Sequence, residues 1–158
     1  TDAAGSATQR RVQIQKLYIK DVSFESPAVP GIFTESGNFQ PQVDLQLNTE
    51  TNRVGDGLHE VVLVVTVTGT EQDRTVFLVE IKQAGLFNIE GFAGEELNQV
   101  LGAYCPSILF PFAREEVATL VQKGGLPQLV LQPVNFDALY AQHVQQQQEG
   151  ARAPDAAS

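Results

Sequence analysis

The stretch Leu58-His-Glu-Val-Val-Leu-Val-Val-Thr-Val-Thr68 is almost continuously β-branched or aliphatic, and it decides the fold predicted for this chain. Side chains of these types favour strands, and a run with little polar alternation predicts a strand that is covered on both faces. Residues 69–74 are polar and predict a turn. Residues 75–83 alternate in polarity and predict the next strand, antiparallel to the first.

Two further strands are predicted before this pair. Residues 12–25 alternate between apolar and polar types with phase slips, as in a long strand that carries bulges. Val43, Leu45 and Leu47 alternate with polar residues, which predicts a half-buried strand. Four strands joined by short connections predict an antiparallel meander.

The periodicity changes from strand to helix after Gly85. Glu95 and Glu96 suit the first turn of a helix that runs to about residue 103. Pro106 and Pro111 each remove a backbone donor, so the helix is predicted to break there and to resume over residues 112–123.

A last helix is predicted from Asn135, a suitable N-cap, and its apolar stripe includes Phe136, Tyr140 and Val144. The predicted fold is therefore α+β, with a four-stranded antiparallel sheet, a proline-broken helical segment and a long C-terminal helix packed on one face. We predict one domain over residues 11–148, with disordered tails at 1–10 and 149–158.

Composition narrows the function. The chain has 158 residues, 42% of them hydrophobic, and a net charge of −9, which argues against nucleic acid and favours cationic partners. It carries one cysteine, no signal-peptide pattern and no apolar run of membrane-spanning length, so we expect a cytoplasmic protein that does not insert into membranes.

Catalytic, metal and phosphate motifs are absent from the sequence, so we expect neither an enzyme nor a cofactor. Cys105, His59 and His143 are the only nucleophile or base candidates of their kind. A hydrolase that uses Cys105 stays open as a rival function, although a cysteine within an apolar run is more often an inert buried thiol.

The segment Gly102-Ala-Tyr-Cys-Pro-Ser-Ile-Leu-Phe-Pro-Phe-Ala-Arg114 carries three aromatic side chains and no charge before its last residue. Such a segment belongs either to the core or to a binding surface, and sequence patterning leaves both open.

Several segments resemble the protein-export chaperone family SecB. They include Lys20-Asp-Val-Ser-Phe-Glu-Ser-Pro27, the Tyr-Cys-Pro motif that begins at Tyr104, and Pro133-Val-Asn-Phe-Asp137. The resemblance covers residues 12–148. It implies a cytosolic homotetramer, a dimer of dimers, that holds unfolded precursor proteins and delivers them to the SecA ATPase for export.

The resemblance also implies site residues. The basic, zinc-bearing C-terminal tail of SecA is expected on Asp21, Glu25, Leu78 and Glu80. Val79, Ile81 and Gln83 match subunit-contact positions. The positions that match the groove for unfolded clients are Phe39, Val43, Leu45, Leu47, Phe110, Phe112, Phe136, Tyr140 and Val144. A SecB-like chaperone dedicated to a toxin–antitoxin pair is the alternative, and the acidic residues favour the export role.

Overall fold

A computed structural model of the chain describes residues 9–35, 37 and 39–152, and its central element is one four-stranded sheet. The strands are β1 (Arg11–Glu25), β2 (Gln42–Gly55), β3 (Leu58–Glu71) and β4 (Arg74–Glu90). All neighbouring strands are antiparallel. The predicted four-stranded antiparallel sheet is therefore confirmed.

The predicted meander is wrong in the position of β1, because the strand order is β1-β4-β3-β2. Only β2, β3 and β4 follow one another in space. The connection from β1 to β2 contains the short helix α1 (Gly31–Thr34), and it is long enough to carry the chain from one edge of the sheet to the other. As a result, β1 and β2 form opposite edges.

The bulges predicted in β1 are present. The pairing of β1 with β4 shifts between Ile14 and Lys16 and again between Ile19 and Asp21. Each bulge adds one residue to β1. The apolar side chains after the bulge therefore stay on the same face of the sheet as those before it, although the sequence breaks the two-residue repeat.

A single helical segment follows β4, made of α2 (Glu95–Gln99), a π-helical turn (Val100–Tyr104) and α3 (Cys105–Lys123). The predicted proline break is wrong, because the helix continues through Pro106 and Pro111. The Cys105 N–H donates to the Val100 carbonyl, five residues back. This wider turn accommodates Pro106. In an ordinary α-helix the proline ring would clash with the backbone carbonyl four residues before it.

The last helix, α4 (Phe136–Arg152), begins where its cap predicts. Asn135 Oδ1 accepts from the Ala138 N–H at 3.0 Å. The helix extends four residues past the predicted domain end at 148. The rest of the predicted tails, residues 1–8 and 153–158, lies outside the described residues.

The helices cover one side of the sheet, which we call the helix-covered face. Val65 on β3 and Ile81 on β4 are directly paired there and are fully buried, as are Phe87 and Leu109 of α3 in the same core. The opposite side, the open face, carries half-buried side chains such as Val64 and Thr66. The expectation that β3 is covered on both faces is therefore wrong over most of its length.

Val62 and Ala84 are buried on the open face for a local reason. Tyr18 on β1 is paired with Ala84, and its hydroxyl donates to Glu60 on β3 at 2.5 Å. The tyrosine side chain therefore spans β4 and shields the small residue beneath it. Lys20 Nζ completes the cluster at 3.1 Å from Glu60, and these two hydrogen bonds hold the pKa of the Glu60 carboxyl below its usual value.

In the part of the chain that the structure describes, every helix is too short or too polar to span a membrane.

Candidate binding groove and acidic sheet face

The four residues matched to SecA binding lie together on the open face. Glu25 on β1 is paired with Leu78 on β4, and Ser23 is paired with Glu80 in the next row. Asp21 lies two residues before Ser23 on β1 and is paired with Lys82, so the alternation of the strand places it on the same face. The four side chains therefore occupy adjacent rows of two neighbouring strands.

The carboxylates of this group are available to a partner. Asp21 and Glu25 are exposed and Glu80 is half-buried. Among the ion pairs that the structure describes, none uses Asp21, Glu25 or Glu80. Lys82 is paired with Asp21 across the strands and is a basic residue beside these carboxylates. We call Asp21, Glu25, Leu78 and Glu80 the acidic patch.

A groove of about 430 Å³ separates β2 from α4. The π-helical turn and α2 contribute its floor, through Leu101, Gly102 and Asn98. This volume lies near the lower limit of the range found for ligand-binding pockets in proteins. Its lining comprises Leu47, Asn48, Thr49, Thr51, Asn98, Leu101, Gly102, Phe136, Leu139, Tyr140, Gln142, His143 and Gln146.

The groove brings together three of the nine residues matched to client binding, namely Leu47, Phe136 and Tyr140. Phe136 is buried at its base, and Tyr140 is half-buried. The other six lie outside its lining. Among them, Val43 and Leu45 share the helix-covered side of β2 with Leu47, by the alternation of the strand.

Phe39 and Leu45 are half-buried against the core, whereas Val43 is exposed. Val144 is half-buried on α4, one turn beyond Tyr140. These positions extend the apolar surface along β2 and α4 from the groove.

The two phenylalanines of the proline segment have different environments. Phe110 is only 4% exposed, and its ring meets the ring of Phe136 edge to face, with centroids 5.6 Å apart. Phe112 is 49% exposed. The segment is therefore divided: Phe110 belongs to the core, and Phe112 belongs to the surface.

Cys105 in the same segment is fully buried, and burial raises the pKa of its thiol to about 12. A thiol with so high a pKa carries almost no thiolate near neutral pH, and the thiolate is the nucleophile. This environment argues against the hydrolase that uses Cys105.

The three residues matched to subunit contacts are inside the chain. Val79 and Ile81 are fully buried and Gln83 is 4% exposed, all on the helix-covered face. The Gln83 amide donates to the Tyr18 carbonyl at 3.2 Å. Within the chain these three side chains lie under α3, which packs against β4, and their assignment to subunit contacts stays a prediction.

Gly102 sets the depth of the groove floor. A Cβ atom there would lie 2.6 Å from a ring carbon of Tyr140, closer than real Cβ contacts. The absent side chain therefore lets α4 pack against the π-helical turn.

We expect Gly102→Ala to destabilise the fold by about 1–3 kcal/mol, since the Tyr140 ring must move. Gly150→Ala is the matched control, because Gly150 is also helical and has open space around its Cβ position. The control is expected to be neutral or stabilising. Thermal unfolding of both variants checks the prediction, and equal midpoints would contradict it.

Sequence reasoning missed the polar half of the groove. Thr49 and Thr51, on the same side of β2 as Leu47, face Gln142 and Gln146 on α4 across it. The i, i+4 spacing of the two glutamines places them on one helix face. That signal was present in the sequence, but nothing there showed that β2 lies opposite.

Comparison with known proteins identifies close relatives. The family described as Preprotein translocase subunit SecB matches residues 5–147. Protein-export protein SecB of Nitrosococcus oceani is 53% identical over 145 residues, which cover 92% of this chain and 88% of the relative. The protein of the same name from Alcanivorax borkumensis is 51% identical over 148 residues, covering 92% and 93%.

A solved structure shares the fold. A SecB-like chaperone from Mycobacterium tuberculosis, solved in complex with a peptide from an antitoxin, aligns with a TM-score of 0.64 at 20% identity. The alignment covers 78% of this chain and 91% of that chain.

Proposed function

The chain belongs to the SecB family of protein-export chaperones, and we propose that it holds unfolded precursor proteins in the cytoplasm and delivers them to SecA. The observation that carries this proposal is the apolar groove between β2 and α4, in a chain about 50% identical to proteins named for export. The SecB-like chaperone from Mycobacterium tuberculosis that binds an antitoxin peptide is only 20% identical to this chain, so the toxin–antitoxin role is not favoured.

Holding a precursor requires binding rather than chemistry. A protein that binds the unfolded chain lowers the free population that folds or aggregates, by mass action. Leu47, Leu101, Phe136 and Tyr140 supply apolar contacts whose attraction depends little on the client sequence. Varied precursors therefore suit the same groove.

The client surface of this proposal extends beyond the groove. Val43 and Leu45 continue it along β2, and Val144 continues it along α4. Phe39, in the segment before β2, packs against the core. Phe112 supplies an exposed aromatic ring on α3. Phe110 acts indirectly, because its edge-to-face contact positions Phe136.

The acidic patch is the proposed site for SecA. Three carboxylates around the apolar Leu78 suit a basic tail that combines cationic side chains with an apolar contact. The patch and the groove lie on opposite faces of the sheet, so client and SecA are able to bind together.

Assembly into a homotetramer is supported by unpartnered apolar surface on β1. Ile14, Ile19 and Val22 on the helix-covered side of this edge strand are 46%, 44% and 38% exposed, and Tyr104 is 51% exposed. An edge strand with exposed apolar side chains is a surface that proteins normally cover. Val79, Ile81 and Gln83 influence assembly through the packing of α3.

A refolding assay tests the holdase function. We expect a stoichiometric excess of the protein to slow the refolding of a denatured precursor, and native mass spectrometry to detect a complex of tetramer and precursor. The same precursor in its folded state is the control and should not bind. Unchanged refolding together with an absent complex would contradict the proposal.

A further inference from the structure

A polar cluster lies on the open face of the sheet, next to the acidic patch. Tyr18 and Lys20 on β1 reach Glu60 on β3 across the intervening strand β4. The Tyr18 hydroxyl donates to Glu60 Oε2 at 2.5 Å, and Lys20 Nζ lies 3.1 Å from Glu60 Oε1. One carboxylate therefore holds two side chains of β1, and we call these three residues the Glu60 cluster.

Lys20 is the extra residue of the second bulge in β1. Its neighbours Ile19 and Asp21 pair with consecutive residues of β4, so Lys20 has no partner on that strand. Its side chain lies over the open face, because its ammonium contacts Glu60. The bulge thus places a lysine directly beside Asp21, the first carboxylate of the acidic patch.

Glu60 draws the Lys20 ammonium away from the patch. Asp21 is paired with Lys82 on β4, whereas Glu60 is paired with Leu86, four residues further along that strand. These two rows are about 13 Å apart along the strand, and the rest of the patch lies beyond the row of Asp21 in the opposite direction. Among the ion pairs that the structure describes, Lys20 takes part only in the one with Glu60.

The Glu60 side chain is suited to hold a charged partner. It is 13% exposed, whereas the side chain of Lys20 is 43% exposed. The hydrogen bonds from Tyr18 and Lys20 hold the pKa of Glu60 below its usual value, so the carboxylate is ionised near neutral pH. Hydrogen bonds between two charged groups are stronger than those between neutral groups.

The position of Lys20 sets the charge that the acidic patch presents. Lys82 is the other ammonium beside the patch. With Lys20 withdrawn, the three carboxylates of the patch face one neighbouring ammonium, and with Lys20 released they would face two. A basic partner binds the first arrangement more tightly, because a resident lysine competes with the partner's cationic side chains for the same carboxylates.

We propose that Glu60 is a positioning residue for the SecA site, and that it keeps Lys20 from neutralising the acidic patch by binding its ammonium. The inference rests on the proposed function, in which the acidic patch binds the basic tail of SecA, and it adds a residue that acts through Lys20. Tyr18 occupies Glu60 Oε2, which leaves Oε1 as the oxygen for the lysine.

A double-mutant cycle tests this role. Glu60→Gln keeps the shape of the side chain but removes the charge that holds Lys20. We expect it to weaken binding of a SecA tail peptide about three- to fivefold, measured by calorimetry at low salt, because the released ammonium competes for the patch. In the Lys20→Met background the same substitution should change the affinity less than about twofold, since no ammonium is left to release.

Two control variants separate the position of Lys20 from net charge and from packing. Glu50→Gln makes the same change in net charge on the open side of β2. Tyr18→Phe removes the hydroxyl but keeps the pair of Lys20 with Glu60. We expect tail binding within about twofold of wild type in both. A loss in either control equal to that of Glu60→Gln would overturn the inference.

The outcomes distinguish this inference from the proposed SecA site. Equal losses from Glu60→Gln in the two backgrounds, with the peptide bound by the wild type, would overturn the role of Glu60 and leave the SecA site intact. Failure of the wild type to bind the peptide would overturn both.

Lys20→Met alone keeps the inference testable if Glu60→Gln does not fold. Because Lys20 is already withdrawn from the patch, we expect its loss to change tail binding less than about twofold. An affinity gain of fivefold or more would show that Lys20 neutralises the patch in the wild type, and would overturn the inference.

Discussion

Reversal of two charges, Glu25→Lys with Glu80→Lys, is expected to weaken binding of the SecA tail by about 100-fold. The two carboxylates lie in adjacent rows of the acidic patch, on β1 and β4. Reversal replaces attraction for a basic tail with repulsion, and close charge pairs at interfaces couple by about 1.5–7 kcal/mol. Isothermal titration calorimetry with a peptide of the SecA tail measures the loss.

The matched control is Glu50→Lys with Asp56→Lys. Both residues are exposed, and the double variant has the same change in net charge. They lie on β2 and in the turn after it, away from the acidic patch. We expect a small loss that disappears as salt is raised, because separated surface charges are screened. Wild-type affinity in the Glu25 and Glu80 variant would contradict the assignment of the patch.

Leu47→Asp with Tyr140→Asp is expected to weaken capture of a denatured precursor by at least about tenfold. The two side chains line opposite walls of the groove. Each substitution removes apolar contact and places a carboxylate where the client must displace water, which opposes binding. Suppression of precursor refolding, measured over a range of chaperone concentrations, gives the change in affinity.

Val54→Asp with Val130→Asp is the control for the groove. These valines are 54% and 61% exposed and lie outside its lining, so the control adds the same charge to exposed apolar positions. We expect normal capture by the control, and a tetrameric native mass and binding of the SecA peptide by both variants. Equal capture by the two double variants would argue against the groove.

The sequence predicted those features of the fold that depend on residues close together in the chain. Asn135 predicted the start of α4, and the phase slips of residues 12–25 predicted the bulges of β1. The helix through Pro106 was mispredicted, because a π-helical turn accommodates a proline by rearranging hydrogen bonds up to five residues away. The position of β1 beside β4 depends on a long-range pairing that no local period encodes.

The predicted site residues of β4 show the same division between what the sequence determined and what only the tertiary structure decided. Strand alternation by itself placed Glu80 and Leu78 on one side of β4 and Val79 and Ile81 on the other. The tertiary structure alone decided that α3 covers the second side, so that Val79 and Ile81 are core and the acidic patch is open. It also brought α4 opposite β2 to form the groove. The physical reason is that alternation is a property of the backbone, whereas burial depends on which distant segments pack against each side.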